Sequence, residues 1–293
     1  MITNIEFKKQ RDFGQVINDT FTFLRQNFKP LIKTYAMFCG LFVLANMSAM
    51  LIQQYKAVHI INEGLTTGNN EKFTFGMYGI EYFLAIFFTF ASYASMSVAI
   101  LSYIAVYIQK GNQTPTSEEI WGYFKYYFFR VFGSSFFLAI INFVGFLFCL
   151  LPGFYLFPFV CMFFPIMVIE NGTFTYSFGR SFKIIKDNFW ITFGTLIVVW
   201  IIVYACMSMV VLPTSLFSMI GMFGSKTPSM SVTLTMVTTV LQSLCQVFTI
   251  LPIITVALIY FSLVEQKENL GLLERISNFG NTEKPVDTRP EEY

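Results

Sequence analysis

Charge leaves this chain for long stretches and returns in short bursts. No Asp, Glu, Lys or Arg occurs in residues 34–55, 82–109, 131–169, 188–225 or 227–264. A membrane-spanning helix takes about 20 consecutive apolar residues, so the first two blocks hold one helix each. The third is divided at Leu151-Pro152-Gly153, read as a tight turn, and the last two are separated by a Gly, Ser and Pro-containing loop around Lys226. The pattern predicts spans at about 30–54, 82–108, 131–151, 154–169, 190–220 and 230–264. The fourth is short and carries Pro158 and Pro165, so a kinked or partly re-entrant helix stands beside a full crossing as a reading of it.

The segments ahead of three spans alternate with a helical period. In 11–29, Phe13, Val16, Ile17, Phe21, Leu24 and Phe28 mark one face, opposite Arg11, Asp12, Gln15, Asn18, Asp19, Thr22, Arg25 and Gln26. In 117–130, Thr116 to Glu119 supplies a capping box and Ile120, Phe124, Tyr127 and Phe128 follow on one face. In 173–189 the face is Phe174, Phe178, Phe182, Ile185 and Phe189. These are Phe-rich amphipathic helices suited to the membrane interface. Each ends alike, in Leu24-Arg25-Gln26-Asn27-Phe28, Phe124-Lys125-Tyr126-Tyr127-Phe128 and Ile185-Lys186-Asp187-Asn188-Phe189. They read as a weak internal repeat of three units, each an interfacial helix followed by a pair of spans, with a looser fourth instance at Leu270, Leu273 and Ile276.

Composition agrees with a bilayer solvent: 55% of residues are hydrophobic and 12% charged, about half the charge of a soluble domain. The fold class is therefore an all-α integral membrane protein with six transmembrane helices. Basic residues are retained on the cytoplasmic side during insertion. Six spans leave only Lys56, Lys72 and Lys226, of 19 Lys and Arg, on the far side. Both termini are expected in the cytoplasm. Residues 1–33 scatter six cations among polar positions and are not expected to act as a signal peptide. Residues 280–293 are acidic and Pro-containing and are expected to be disordered.

Candidate chemistry is sparse. An ionisable group inside a bilayer is costly and usually functional, and the charge-free blocks that form the predicted spans contain no Asp, Glu, Lys or Arg. What remains is Asn46, Asn142 and a stripe of Thr235, Thr238 or Thr239, Gln242, Gln246 and Thr249 in the last span, which reads either as interhelical hydrogen bonding or as the lining of a polar path. Ala91, Ser95 and Ala99 form a close helix-packing face, and Pro213 and Pro252 are placed to bend the last two spans. At the interface, Arg25, Lys125, Arg180, Lys183 and Lys186 are the candidate contacts for anionic lipid headgroups or for a partner. The five Cys lie in apolar stretches without metal or redox spacing, and the single His59 falls in the first outer loop with no acidic cluster beside it. No nucleophile-elbow, zincin or P-loop pattern is present. No cofactor, metal or nucleic-acid partner is expected.

Pro152-Gly153-Phe154-Tyr155, Pro165, Glu170, the run Ser177 to Lys183 and Asn188-Phe189-Trp190 together resemble the membrane domain of bacterial glycerophosphoryl diester phosphodiesterases. Arg11-Asp12-Phe13-Gly14 and Ile259 to Glu265 resemble its start and end. The resemblance implies a multi-pass protein of the bacterial cytoplasmic (inner) membrane with six spans. The catalytic barrel that gives those proteins their name has no counterpart here, so no catalytic residue carries over. Three function classes follow, in order: a non-enzymatic scaffold, accessory subunit or lipid-interacting factor; a lipid or small-molecule permease; and the membrane part of a phosphodiesterase-like enzyme. A membrane-protein partner or self-association goes with the first.

Overall fold

The structure is a computed structural model that describes residues 5–67, 79–148, 150–224 and 231–269. Among these residues there is no strand; the chain forms α1 (Phe13–Gln26), α2 (Phe28–Thr67), α3 (Ile80–Gln109), α4 (Ser117–Phe148), α5 (Leu150–Ile169), α6 (Phe174–Ile185), α7 (Phe189–Gly224), α8 (Val232–Cys245) and α9 (Ile250–Glu268). Short 3-10 turns join α6 to α7 at Lys186–Asn188 and α8 to α9 at Gln246–Thr249. Six stretches are long and apolar enough to cross a membrane: α2, α3, α4, α5, the α6–α7 run and the α8–α9 run.

Local signals set most of the boundaries. Asp12 caps α1 by accepting the Gln15 N–H at 2.8 Å. Asn27 ends it: its N–H bonds the Phe23 carbonyl while its side chain, buried, accepts from the Tyr103 hydroxyl at 3.0 Å. Glu119 reaches back to the Thr116 N–H at 2.8 Å, the expected half of a capping box. α3 stops at Gly111 and Asn112, both left-handed.

Elsewhere the boundaries differ from expectation. Residues 117–130 and 131–151 form one helix, α4, because nothing between them breaks the hydrogen-bond ladder; the second repeat unit therefore lacks the break that follows Asn27 and Asn188 in the other two. The turn expected at Leu151-Pro152-Gly153 is displaced: α5 already begins at Leu150, and Pro152 occupies its first turn, where a missing N–H costs nothing. Gly153 serves packing instead. A side chain there would collide with the Phe146 ring, and one at Gly145 would lie 3.5 Å from the Gly153 Cα, so two glycines let α4 and α5 close up. α5 is continuous through Pro158 and Pro165, and 20 residues at 1.5 Å each span about 30 Å, one hydrocarbon thickness. α2 runs on to Thr67, so His59 sits on a helix, beside Tyr55, and in no loop. The last span is broken where Pro252 withholds its N–H and crowds the Phe248 carbonyl, and a 3-10 turn takes the place of the lost bond.

Helices α3, α5 and α9 form the centre and α2, α4 and α7 the periphery, with α1 and α6 docked at one end. α3 can be central because it presents Ala91, Ser92, Ala94, Ser95, Ala99 and Ser102, all buried, which admit close backbone approach. Large apolar side chains such as Leu41, Phe129, Ile201 and Met209 point outward, as lipid permits and water would not. α1 turns Val16, Thr20 and Phe23 inward, rotated from the expected face, and leaves Phe13 and Phe21 exposed, as is Phe28 at the start of α2. Residues 280–293, expected to be disordered, and the looser fourth repeat lie outside the described residues, as does Cys149.

Candidate functional site

One end of the bundle collects the charges. Arg11 is pinned there by Asp19 at 2.8 Å and by carbonyls of the preceding loop, and its N–H donates to Ser262 at the end of α9 at 2.8 Å. Lys110 pairs with Glu119 and Lys267 with Asp187, each at 2.8 Å. Arg130 donates to the Asn171 side chain and the Gly172 carbonyl, at 2.9 and 2.7 Å. By contrast Lys56 pairs with Glu81 at the opposite end of the α2–α3 pair, at 3.1 Å.

The densest node surrounds Glu170, the first charged residue after the longest charge-free run. One of its oxygens accepts from the Tyr260 hydroxyl at 2.8 Å and from Arg180 Nε at 3.3 Å; the other accepts from Tyr176 at 2.8 Å. Arg180 also pairs with Glu268. Asn188 donates to Gln266 at 2.8 Å, so the ends of α5, α6 and α9 are locked together by groups up to 90 residues apart. Charge-assisted bonds of this kind are the strong ones. The sequence signal for it was faint: a carboxylate closing an apolar run needs donors, but nothing in the pattern names Tyr260.

The five cations proposed for headgroup contact therefore separate. Arg180 is half-buried and spent on Glu170 and Glu268, a correction to its expected role. Arg25, Lys125, Lys183 and Lys186 are exposed, and none of them takes part in an ion pair among the described residues.

The polar stripe of the last span also separates. The hydroxyls of Thr235, Thr238 and Thr239 bond carbonyls four residues back in their own helix, at 2.8–3.0 Å. Gln242 points outward. Thr239 is buried all the same, and within the 3-10 turn two groups reach a neighbouring helix: Gln246 meets Ser92 at 3.4 Å and Thr249 lies 3.3 Å from the Met96 sulfur. Asn46 accepts from Thr89 at 3.1 Å. Asn142 keeps a buried carboxamide oxygen without a hydrogen-bond partner among the described residues.

Asn142 lines one of several neighbouring cavities. Between α5 and α7 a cleft of about 600 Å³ is walled by Phe154, Tyr155, Phe159, Phe189, Trp190 and Phe193, with Lys186 at its rim. Through Phe154 and Phe193 it adjoins a second of about 290 Å³ that reaches Ile197, Trp200 and Tyr204. Through Phe157 and Trp200 that one adjoins a third of about 300 Å³ lined by Tyr93, Ser135 and Asn142. No sequence pattern marked this cleft, because its walls come from two helices whose aromatic residues read as ordinary span.

Among the described residues no group of three or more His, Cys, Asp or Glu is arranged to hold a metal ion. Comparison with protein-family models, with curated proteins and with solved structures returned no match to this chain.

Proposed function

We propose that this chain is a non-enzymatic protein of the bacterial cytoplasmic membrane, with both termini inside, that engages anionic lipid headgroups through its basic end and serves as a scaffold or accessory subunit. The observation that carries the reading is the division among the cations. Lys110, Arg180 and Lys267 are matched by carboxylates, whereas Arg25, Lys125, Lys183 and Lys186 are exposed at the same end without one among the described residues. A juxtamembrane cation near anionic lipid contributes about 1 kcal/mol, so four act together as a lipid-selective collar. The resemblance noted in Pro152 to Trp190 supports the location and the six-span plan. A partner protein, or a second copy, fits the same surface.

The test is reconstitution into nanodiscs made from an equal mixture of phosphatidylglycerol and phosphatidylcholine. Lipid recovered with the protein is expected to be enriched in phosphatidylglycerol, and the enrichment is expected to vanish when the four cations are changed to Gln. Equal recovery of both lipids from the unaltered protein would refute the reading. The permease alternative draws on the broken last span, where Gln246 and Thr249 turn inward beside a cavity.

A further inference from the structure

The cleft between α5 and α7 is open where neighbouring helices usually touch. Phe189, Phe193, Ile197, Trp200 and Tyr204 succeed each other at three- and four-residue steps along one face of α7, with Lys186 one turn before them. From Phe189 to Tyr204 the helix rises about 22 Å. Half of a bilayer's hydrocarbon core is about 15 Å, so this face of α7 is long enough to take one acyl chain. At its polar end Lys186 and, one turn back, Lys183 are exposed, and the acid that follows Lys186, Asp187, is paired with Lys267 at 2.8 Å. Trp190, 78% exposed at the rim, is the side chain that favours the boundary between headgroups and chains.

We infer that this cleft holds one anionic phospholipid of the leaflet at the basic end, with its phosphate on Lys186 and Lys183 and one acyl chain laid along α7 to Trp200. The site rests on the reading of the basic end given above and deepens it. General attraction to anionic lipid yields an exchanging collar; a cleft walled by Phe154, Phe193 and Trp200 yields one lipid held at a fixed depth. The electrostatic part selects the headgroup and the apolar part sets the residence time.

Tryptophan quenching tests it. In a Trp121→Phe background only Trp190 and Trp200 remain to fluoresce. Phosphatidylglycerol brominated at mid-chain, added to the full chain in detergent, is expected to quench that emission with saturation near one lipid per protein. The phosphatidylcholine analogue is expected to need roughly tenfold more, one charge-assisted contact being worth about that factor. Lys186→Gln is expected to erase most of the difference, and Ile197→Phe, which narrows the cleft without adding a fluorophore, to abolish the saturable phase in a protein that still elutes as one species. Millimolar inorganic phosphate is expected to change nothing.

Quenching that rises without saturation, or that survives Ile197→Phe, would overturn the cleft alone. Saturable quenching equal for both headgroups would overturn the anionic headgroup, and with it the reading of the basic end. Displacement by inorganic phosphate would make this an anion site rather than a lipid site. A change of oligomeric mass in the Ile197→Phe variant would mean that a second copy fills the cleft, and would likewise overturn it.

Discussion

The α6–α7 run and the α8–α9 run are the two most apolar of the six candidate spans, nearly equal in hydropathy, yet 78% of the most apolar window is buried in the last span and 22% in the one before it. In water two such helices would compete for the core. In lipid apolarity confers no preference for the inside, since hydrocarbon solvates Leu as well as protein does. What separates them is the side chains that need a partner. α9 carries Thr255, whose hydroxyl lies 3.2 Å from that of Thr20, together with Tyr260 bound to Glu170 and Ser262 bound to the Arg11 backbone. In α7, Thr195, Thr214 and Ser215 donate to carbonyls of α7 itself. Its buried positions reduce to Thr192, Thr195, Leu196, Val199 and Val203, a single stripe.

The largest break in that comparison comes from emptying equivalent volumes on the two helices. Leu258 is fully buried in α9 and Ile201 is 61% exposed on α7. Leu258→Ala leaves a cavity in the packed centre and is expected to cost about 2–5 kcal/mol; Ile201→Ala gives lipid a slightly different wall and is expected to cost less than about 0.5 kcal/mol. Unfolding by SDS in mixed micelles, followed by circular dichroism, reads the difference. Similar midpoints for the two variants would mean that α9 is not the core helix.

A smaller effect is expected at the node that fixes the end of α9. Glu170→Ala strips acceptors from Tyr176, Tyr260 and Arg180 at once, with Glu170 and Arg180 only 17% and 16% exposed. Leaving such donors unsatisfied costs about 1–3 kcal/mol. Glu170→Gln, which keeps one acceptor, is expected to recover part of it. If α7 depends on the same node through α6, limited proteolysis of Glu170→Ala will open the Thr173–Asn188 region first; cleavage elsewhere would place the weak point outside the node.

Much of this plan could be read from residue order. The number of apolar crossings, the caps at Asp12 and Glu119, the buried face Ile120, Phe124 and Tyr127, and the Ala91, Ser95, Ala99 packing face all follow from local pattern. What could not be read depends on distant chain meeting in space. Charge-free runs do not reveal which span is central, because burial in lipid is decided by partners and Thr20 lies 235 residues from Thr255. Gly153 looked like a turn because glycine permits both a turn and a close approach, and only the ring of Phe146 beside it tells which. Arg180 looked like a free interfacial cation until Glu170 and Glu268 were brought to it.

The smallest effect sharpens the comparison within one helix run. Gln242 and Gln246 stand four apart and in an unbroken helix would share a face. The 3-10 turn at Gln246–Thr249 begins between the straight part of α8 and Pro252, and from there the polar groups turn toward Ser92 and Met96 while Gln242 remains outward. Gln246→Leu removes an interhelical bond of the kind worth about 0.6 kcal/mol in a membrane, and is expected to lower stability by that order. Gln242→Leu exchanges an outward amide for an apolar side chain and is expected to be neutral or slightly stabilising in the isolated chain. The two glutamines thereby divide the remaining readings. If both changes leave lipid recovery and assembly intact, a polar path along the last span is left without the two amides that were its strongest polar groups. If Gln242→Leu alone disrupts a larger assembly while the chain itself stays folded, the outward amide is the contact through which a partner helix docks.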